Sequence, residues 1–161
     1  ENKSTHDKLT GVYNREYFET HYKLIINEYT KDNNLLFLSI LDIDFFKKVN
    51  DTYGHDVGDK VLKQFVNVIQ KSSRKDDLLI RWGGEEFLLL TKVKSIDNAK
   101  KVLENIRNAI SQASFEGIKH ITCSIGATNY KENENIEESF KRADDALYEA
   151  KNNGRNQVRI K

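Results

Sequence analysis

The segment Leu35 to Leu41 constrains this chain most, because it is almost continuously apolar, too short for a lone core helix, and bounded by polar residues on both sides. Such a run reads as a strand covered on both faces, which demands helices above and below it. Its end delivers two carboxylates, Asp42 and Asp44.

The flanking pattern supplies the helices. From Arg15 the positions Phe18, Tyr22, Ile25 and Tyr29 recur at helical spacing, with Asn14 placed as the N-cap and the end falling near Lys31-Asp32-Asn33-Asn34. A polar, glycine-punctuated stretch from Asn50 to Asp56 then precedes a helix marked by Val61, Leu62, Phe65 and Ile69, which runs out near Lys71. Leu78 to Trp82 and Phe87 to Thr91 are apolar segments around Gly83-Gly84-Glu85-Glu86, and the glycine pair predicts a tight hairpin turn with positive φ angles. A third amphipathic helix follows (Ile96, Ala99, Val102, Leu103, Ile106, Ile110), then a strand from Ile121 to Thr128. A helix carrying Ile136, Phe140, Ala143, Leu147 and Ala150 and a closing strand at Gln157 to Ile160 complete the chain.

Strands alternate with helices except at the hairpin, which predicts an α/β fold with a single-layer mixed sheet of about five strands flanked by helices. The 161 residues and 38% hydrophobic content fit one domain with one substantial core. No repeat or internal linker interrupts it.

Lys and Arg total 26 and Asp and Glu 25, so the formal net charge is +1 and no global field selects nucleic acid or an anionic membrane as partner. Phosphate recognition has to be local. No apolar run approaches the roughly 20 residues of a membrane helix, and Glu1 to Lys8 lack the apolar core of a signal peptide. Cys123 is the sole cysteine, which excludes an internal disulfide; between Thr122 and Ser124 it reads as a small buried strand residue, in keeping with a reducing cytoplasm.

Two constellations carry chemistry. Asp42 and Asp44 at a strand end and Glu85 and Glu86 at the hairpin bring four carboxylates together if the strands are neighbours. Clustered like charges call for a cation, and oxygen ligands without a His or Cys pair point to a hard ion such as Mg²⁺ rather than zinc. Acidic residues at strand ends and turns are also simply solvated in many proteins, and spacing does not separate the two readings. Lys47, Lys151 and Arg155 form a basic set suited to polyphosphate. Cations at a helix C-terminus equally offset its dipole.

Read in order, Asp7-Lys8-Leu9-Thr10-Gly11-Val12-Tyr13-Asn14-Arg15, Asp42-Ile43-Asp44-Phe45-Phe46-Lys47-Lys48-Val49-Asn50-Asp51, Gly54-His55-Asp56-Val57-Gly58-Asp59, Arg81-Trp82-Gly83-Gly84-Glu85-Glu86-Phe87 and the run from Ala143 to Asn156 span nearly the whole chain. Together they resemble the GGDEF family of diguanylate cyclases, enzymes that condense two GTP into cyclic di-GMP and two pyrophosphates. The resemblance implies a nucleotidyl-cyclase or polymerase-palm type of fold. It assigns residues 9–161 to the family domain and residues 1–8 to the end of an upstream linker.

The resemblance also implies site roles. Asp42 through its carboxylate, Ile43 through its carbonyl, and Glu85 and Glu86 are implied to hold Mg²⁺ or Mn²⁺, two per half-site, with Glu85 helping to deprotonate the attacking hydroxyl. Lys47, Lys151, Arg155 and the backbone N–H groups of Phe45 and Phe46 are implied to bind the phosphates. Asn50 and Asp59 are implied to read guanine, since a carboxylate accepts from donors that adenine lacks. A family branch that makes mixed adenine and guanine dinucleotides is reported to carry Ser where Asp59 stands. Glu85 occupies the position of the Asp in the family name, which changes reach by one methylene. His55 reads as a turn residue rather than a catalyst, Trp82 as a packed strand aromatic, and Asp44 as either supporting or structural.

Arg74-Lys75-Asp76-Asp77 matches the family's inhibitory motif, so cyclic di-GMP is expected to bind through Arg74 and Asp77. Members often add another Arg on the following helix, where this chain has Asn105 with Arg107 nearby. A product with two-fold symmetry implies a homodimer of half-sites. The rival reading is a catalytically inactive receptor for GTP or cyclic di-GMP. The start of the chain leaves no room for a sensory domain before the first motif, which reads as an excised catalytic domain.

Overall fold

Leu35–Ile43 is the longest strand, and every residue from Leu36 onward is buried, as the apolar run requires. The computed structural model describes residues 4–161. In chain order its elements are β1 (Tyr13–Asn14), α1 (Arg15–Tyr29), a 3₁₀ turn (Lys31–Asn33), β2 (Leu35–Ile43), α2 (Phe46–Tyr53), α3 (His55–Ser72), β3 (Leu78–Gly83), β4 (Glu86–Val93), α4 (Ile96–Gln112), β5 (Cys123–Asn129), α5 (Ile136–Asn152) and β6 (Val158–Ile160).

The sheet has the order β1-β3-β4-β2-β5-β6. β2 is antiparallel to both β4 and β5, β3 is antiparallel to β4, and the edge strands β1 and β6 run parallel to their neighbours. The sheet is therefore mixed, with six strands among the described residues where the sequence predicts about five. The additional strand is the two-residue β1, whose pairing with β3 is set by tertiary contact.

The two-residue period of a strand divides the core. Phe37, Leu41 and Ile43 face α2, α3 and α4. Leu36, Leu38 and Ile40 face α1 and α5. Asn14 caps α1 by accepting from the Tyr17 N–H at 2.9 Å, as its position predicts. Residues 1–3 of the expected linker lie outside the described residues. In the rest of it, Asp7 donates its N–H to the Val12 carbonyl at 2.7 Å, and the His6 ring stacks on Tyr13 at 4.6 Å.

α5 is bolted to the sheet by Arg142, whose guanidinium donates to Glu134 Oε1 at 2.5 Å, Glu134 Oε2 at 2.7 Å, Thr128 Oγ1 at 2.9 Å and the Asn129 carbonyl at 3.0 Å. Hydrogen bonding from this guanidinium holds the Glu134 carboxyl down at about 2. A depressed carboxyl contributes stability that is present above its ordinary pKa and lost as pH falls through the folded value. Glu134→Gln is expected to lower the unfolding free energy by about 2 kcal/mol near neutral pH. In urea titrations the gap from wild type should close as pH falls from the ordinary carboxylate range toward about 2. A gap that stays constant with pH would show that packing, not charge, holds α5 to the sheet.

Candidate active site

Strand register builds the acidic half of the site. Asp42 pairs directly with Glu86 across β2 and β4, and both occupy the face toward α5. From α5, Lys151 Nζ donates to Asp42 Oδ2 at 2.5 Å. Burial pushes the Asp42 carboxyl above the usual carboxylate range; Lys151 opposes that rise, while Glu85 and Asp44 add to it. Burial likewise raises Glu86, followed by the charge of Asp42. These are carboxylates crowded beyond what one ammonium neutralises.

Asp42, Ile43, Phe45, Phe46, Lys47, Glu85, Lys151 and Arg155 border one cavity of about 420 Å³. The three cations expected to meet phosphate thus share an open space with the acidic cluster. Lys47 is 89% exposed with Asp51 3.0 Å away, so its ammonium is free to exchange partners. Phe45 adopts left-handed backbone (φ 58°) and opens α2. The first N–H groups of that helix have no intrahelical acceptor, which suits them to an anion.

α2 itself departs from the sequence reading, which has a polar stretch here. Phe46 and Val49 bury one side of it, and Gly54 (φ 90°) turns the chain straight into α3. The elbow brings Asn50 on α2 and Asp59 on α3 to a second cavity of about 470 Å³, with Phe46, Lys47, His55, Arg81, Gly84 and Glu85. Phe46, Lys47 and Glu85 border both cavities. Gly58 leaves room for the Asn50 side chain in the elbow, since a Cβ there would strike it.

The hairpin corrects one expectation. Neither Gly83 nor Gly84 has positive φ. A register shift between Arg81 and Gly83 absorbs the twist that a primed turn supplies elsewhere. The glycines leave space instead: a Cβ on either meets nothing within 4 Å, and Gly84 borders the second cavity. Arg81, to which the sequence reading gave no role, fixes the turn by donating to the Gly84 carbonyl at 2.8 Å and to Asp7 at 3.2 Å. A lone Arg within an apolar strand was the available signal.

Of the four expected carboxylates, Asp44 does not border the cavity of Asp42 and Glu85, although its charge still reaches Asp42. Both its oxygens are engaged by Thr122, Ser124 and Asn156. Trp82 is packed, stacked on Phe140 at 4.8 Å beneath the Arg15 guanidinium. Cys123 is fully buried, and burial drives its thiol above the ordinary range.

The donor set suits a divalent metal. Among the described residues no three carboxylate or imidazole side chains by themselves enclose an ion. Asp42 and Glu85 instead present hard oxygens to a cavity that cationic side chains share, the pattern in which Mg²⁺ or Mn²⁺ is bound by one or two carboxylates together with substrate phosphate. The Lys151 ammonium supplies positive charge at Asp42.

Arg74 and Asp77 border a separate cavity of about 320 Å³ with His6, Gly11 and Tyr13. They engage each other: the Arg74 N–H donates to Asp77 Oδ2 at 2.8 Å, and the guanidinium donates to Asp77 Oδ1 at 3.5 Å and to the Lys92 carbonyl. The Asp77 side chain is 1% exposed. Arg107 points elsewhere, donating to Asn156 at 2.8 Å and Glu104 at 3.2 Å.

A mixed sheet whose central strand end and adjacent hairpin carry the acidic residues is the palm-like fold of nucleotidyl cyclases. Residues 4–157 match the family model described as diguanylate cyclase, GGDEF domain, and the chain belongs to the GGDEF domain family. It is 41% identical over 165 residues to the diguanylate cyclase DgcM of Escherichia coli strain K12, covering 98% of this chain and 38% of that relative. Among solved structures, the GGDEF domain of DgcB from Caulobacter crescentus in complex with c-di-GMP has a TM-score of 0.88 at 32% identity, covering 99% of this chain and 97% of that one. The active GGEEF domain of a diguanylate cyclase from Vibrio cholerae has a TM-score of 0.82 at 31% identity, covering 91% and 96%. The chain therefore spans well under half the length of DgcM and nearly the full length of these two structures. Among the described residues no helix is long and apolar enough to cross a membrane.

Proposed function

We propose that this chain is a diguanylate cyclase domain, joining two GTP into cyclic di-GMP with release of two pyrophosphates in the cytoplasm. The observation that carries the reading is the pair of adjoining cavities, one acidic and cationic, the other bearing Asn50 and Asp59, which share Phe46, Lys47 and Glu85. A triphosphate in the first and a purine in the second is the layout of one bound nucleotide.

Asp59 accepts from the guanine N1–H and N2 amino donors, and Asn50 adds a side-chain amide. Lys47, Lys151 and Arg155 take the β- and γ-phosphates together with the Phe45 and Phe46 N–H groups, Lys151 leaving Asp42 as it does so. Asp42, the Ile43 carbonyl, Glu85 and Glu86 would hold two Mg²⁺ or Mn²⁺, which when bound would supply acidification of the attacking hydroxyl and neutralisation of the charge developing on the phosphoryl oxygens. Glu85 receives the proton from the ribose 3′-hydroxyl as that oxygen attacks the α-phosphate of the facing GTP. Pyrophosphate leaves in line, steadied by the cationic side chains.

One domain holds one nucleotide, so two copies must face each other, and turnover per protomer depends on association. Cyclic di-GMP binds back at Arg74 and Asp77 once their internal pairing opens, without Arg107, which the turn after α5 occupies. The active GGEEF domain from Vibrio cholerae supports Glu85 as an acceptable residue at its position. The test is chromatography of reactions with GTP and Mg²⁺ across a range of protein concentrations, with ATP in parallel. Cyclic di-GMP is expected from GTP alone, with specific activity rising with protein concentration. No product at any concentration, with cyclic di-GMP still bound, would replace the cyclase with a receptor.

A further inference from the structure

The two turns that frame the phosphate side of the cavity are both held in left-handed backbone, and one buried carboxylate joins them. Phe45 stands at φ 58°, Arg155 at 62° and Asn156 at 45°. Asn adopts this region readily, but Phe45 and Arg155 do so only where their surroundings enforce it. Asp44, immediately before Phe45, is 5% exposed. Its Oδ1 accepts from Ser124 Oγ at 2.6 Å. Its Oδ2 accepts from Thr122 Oγ1 at 2.6 Å and from the backbone N–H of Asn156 at 3.0 Å. The Asp44 N–H in turn donates to the Thr122 carbonyl at 2.9 Å.

One side chain thus links the β2–α2 turn, the start of β5 and the α5–β6 turn. Two further contacts act on the same joint. The Arg155 guanidinium lies 4.7 Å over the Phe45 ring, and Arg107 on α4 donates to the Asn156 side-chain oxygen at 2.8 Å. Asp44 faces away from the acidic cluster, bordering a groove with Thr52, Tyr53 and Thr122 instead of the cavity of Asp42 and Glu85.

We propose that Asp44 is a positioning residue for the triphosphate, fixing Arg155 and the Phe45–Phe46 amides relative to each other so that both reach the same phosphates. The inference rests on the GTP reading above. What Asp44 supplies is acceptor geometry, because its three donors, two hydroxyls and one amide, are all neutral. A carboxamide reproduces it: its oxygen accepts from the Asn156 N–H and Thr122, and the Ser124 hydroxyl rotates to accept from its NH₂.

The test compares wild type, Asp44→Asn, Asp44→Ala and Arg107→Ala by calorimetry with 3′-deoxy-GTP and with GMP in the presence of Mg²⁺, alongside steady-state turnover of GTP. Asp44→Ala is expected to weaken 3′-deoxy-GTP on the order of 10- to 100-fold while GMP changes by less than about threefold. Asp44→Asn recovers the triphosphate affinity to within about threefold of wild type. Arg107→Ala weakens the triphosphate by about tenfold with GMP again within about threefold, which keeps the inference testable if Asp44→Ala does not fold. Equal losses on both ligands would reduce Asp44 to a structural role, and Asp44→Asn as damaging as Asp44→Ala would mean that its charge is what matters; either overturns the proposal. Should wild type turn over no GTP yet show this binding pattern, the catalytic reading falls and the positioning role stands. Should wild type bind 3′-deoxy-GTP no better than GMP, both fall.

Discussion

Glu85→Ala is expected to reduce cyclic di-GMP formation by at least about a thousandfold while 3′-deoxy-GTP binding stays within about threefold of wild type. Glu85 sits at the turn between β3 and β4 and borders both cavities, so on the proposed reading it stands where triphosphate and base meet. It also raises the Asp42 carboxyl by its charge, which places the two side chains in one electrostatic cluster. On the proposed reading, ground-state affinity is spread over Lys47, Lys151, Arg155, Asn50 and Asp59, so losing the Glu85 carboxylate costs little binding. Charge stabilisation and proton acceptance belong to the transition state, so the loss appears in turnover. Glu85→Asp, which keeps the carboxylate one methylene shorter, should recover activity to within about tenfold of wild type. Product chromatography and calorimetry on the same preparations separate the two effects. A variant that loses binding as steeply as turnover would make Glu85 a ground-state ligand only.

The elements that pack as periodic units were legible. β2 and β4 are near-continuous apolar runs buried on both faces, and the helices α1, α3, α4 and α5 present an apolar face at helical period that their burial follows. What the pattern did not yield was set by contact at a distance. β1 is only two residues long and is defined by its pairing to Ile80 and Arg81. α2 was hidden because Lys47, Lys48, Asn50, Asp51 and Thr52 outweigh the pair at i and i+3, Phe46 and Val49, that buries it. The hairpin glycines were rightly marked but for a reason the backbone does not use, since space beside the cavity, not positive φ, is what they provide.

The site was legible where motif residues lie in register and obscure where a side chain turns. Asp42 and Glu86 meet because β2 and β4 pair at those positions. Asp44, two residues on, shares the strand's parity with Asp42 yet swings to Thr122 and Ser124, because the chain has left the strand by then. The family resemblance marked Arg107 only as lying near Asn105 on the helix after the hairpin; its partner is Asn156, and no spacing rule joins residues 49 apart.

Gly126→Ala is expected to cost about 4 kcal/mol of folding stability and to weaken triphosphate binding with it. Gly126 lies in β5 between Ile40 of β2 and Arg159 of β6, and its φ is not positive. Its value is therefore contact rather than conformational freedom. A Cβ at this position falls closer than 3.0 Å to the Leu147 N, the Ala143 carbonyl oxygen and the Leu147 Cα. All three are backbone atoms of α5, so no side chain can rotate to make room, and the helix has to lift from the sheet. Ala143, Leu147 and Ala150 lose their seat on β5 and β2, and the cavity and strain terms add. The displacement reaches the site because α5 carries Lys151 to Asp42 and runs directly into the Arg155–Asn156 turn. A glycine inside an otherwise apolar strand signals such close backbone approach. Urea denaturation gives the stability loss, and calorimetry at a temperature where the variant is still folded gives the binding loss. A cost below about 1 kcal/mol would mean that α5 does not rest on the Gly126 backbone; full stability loss with unchanged triphosphate affinity would separate the seating of α5 from the phosphate clamp.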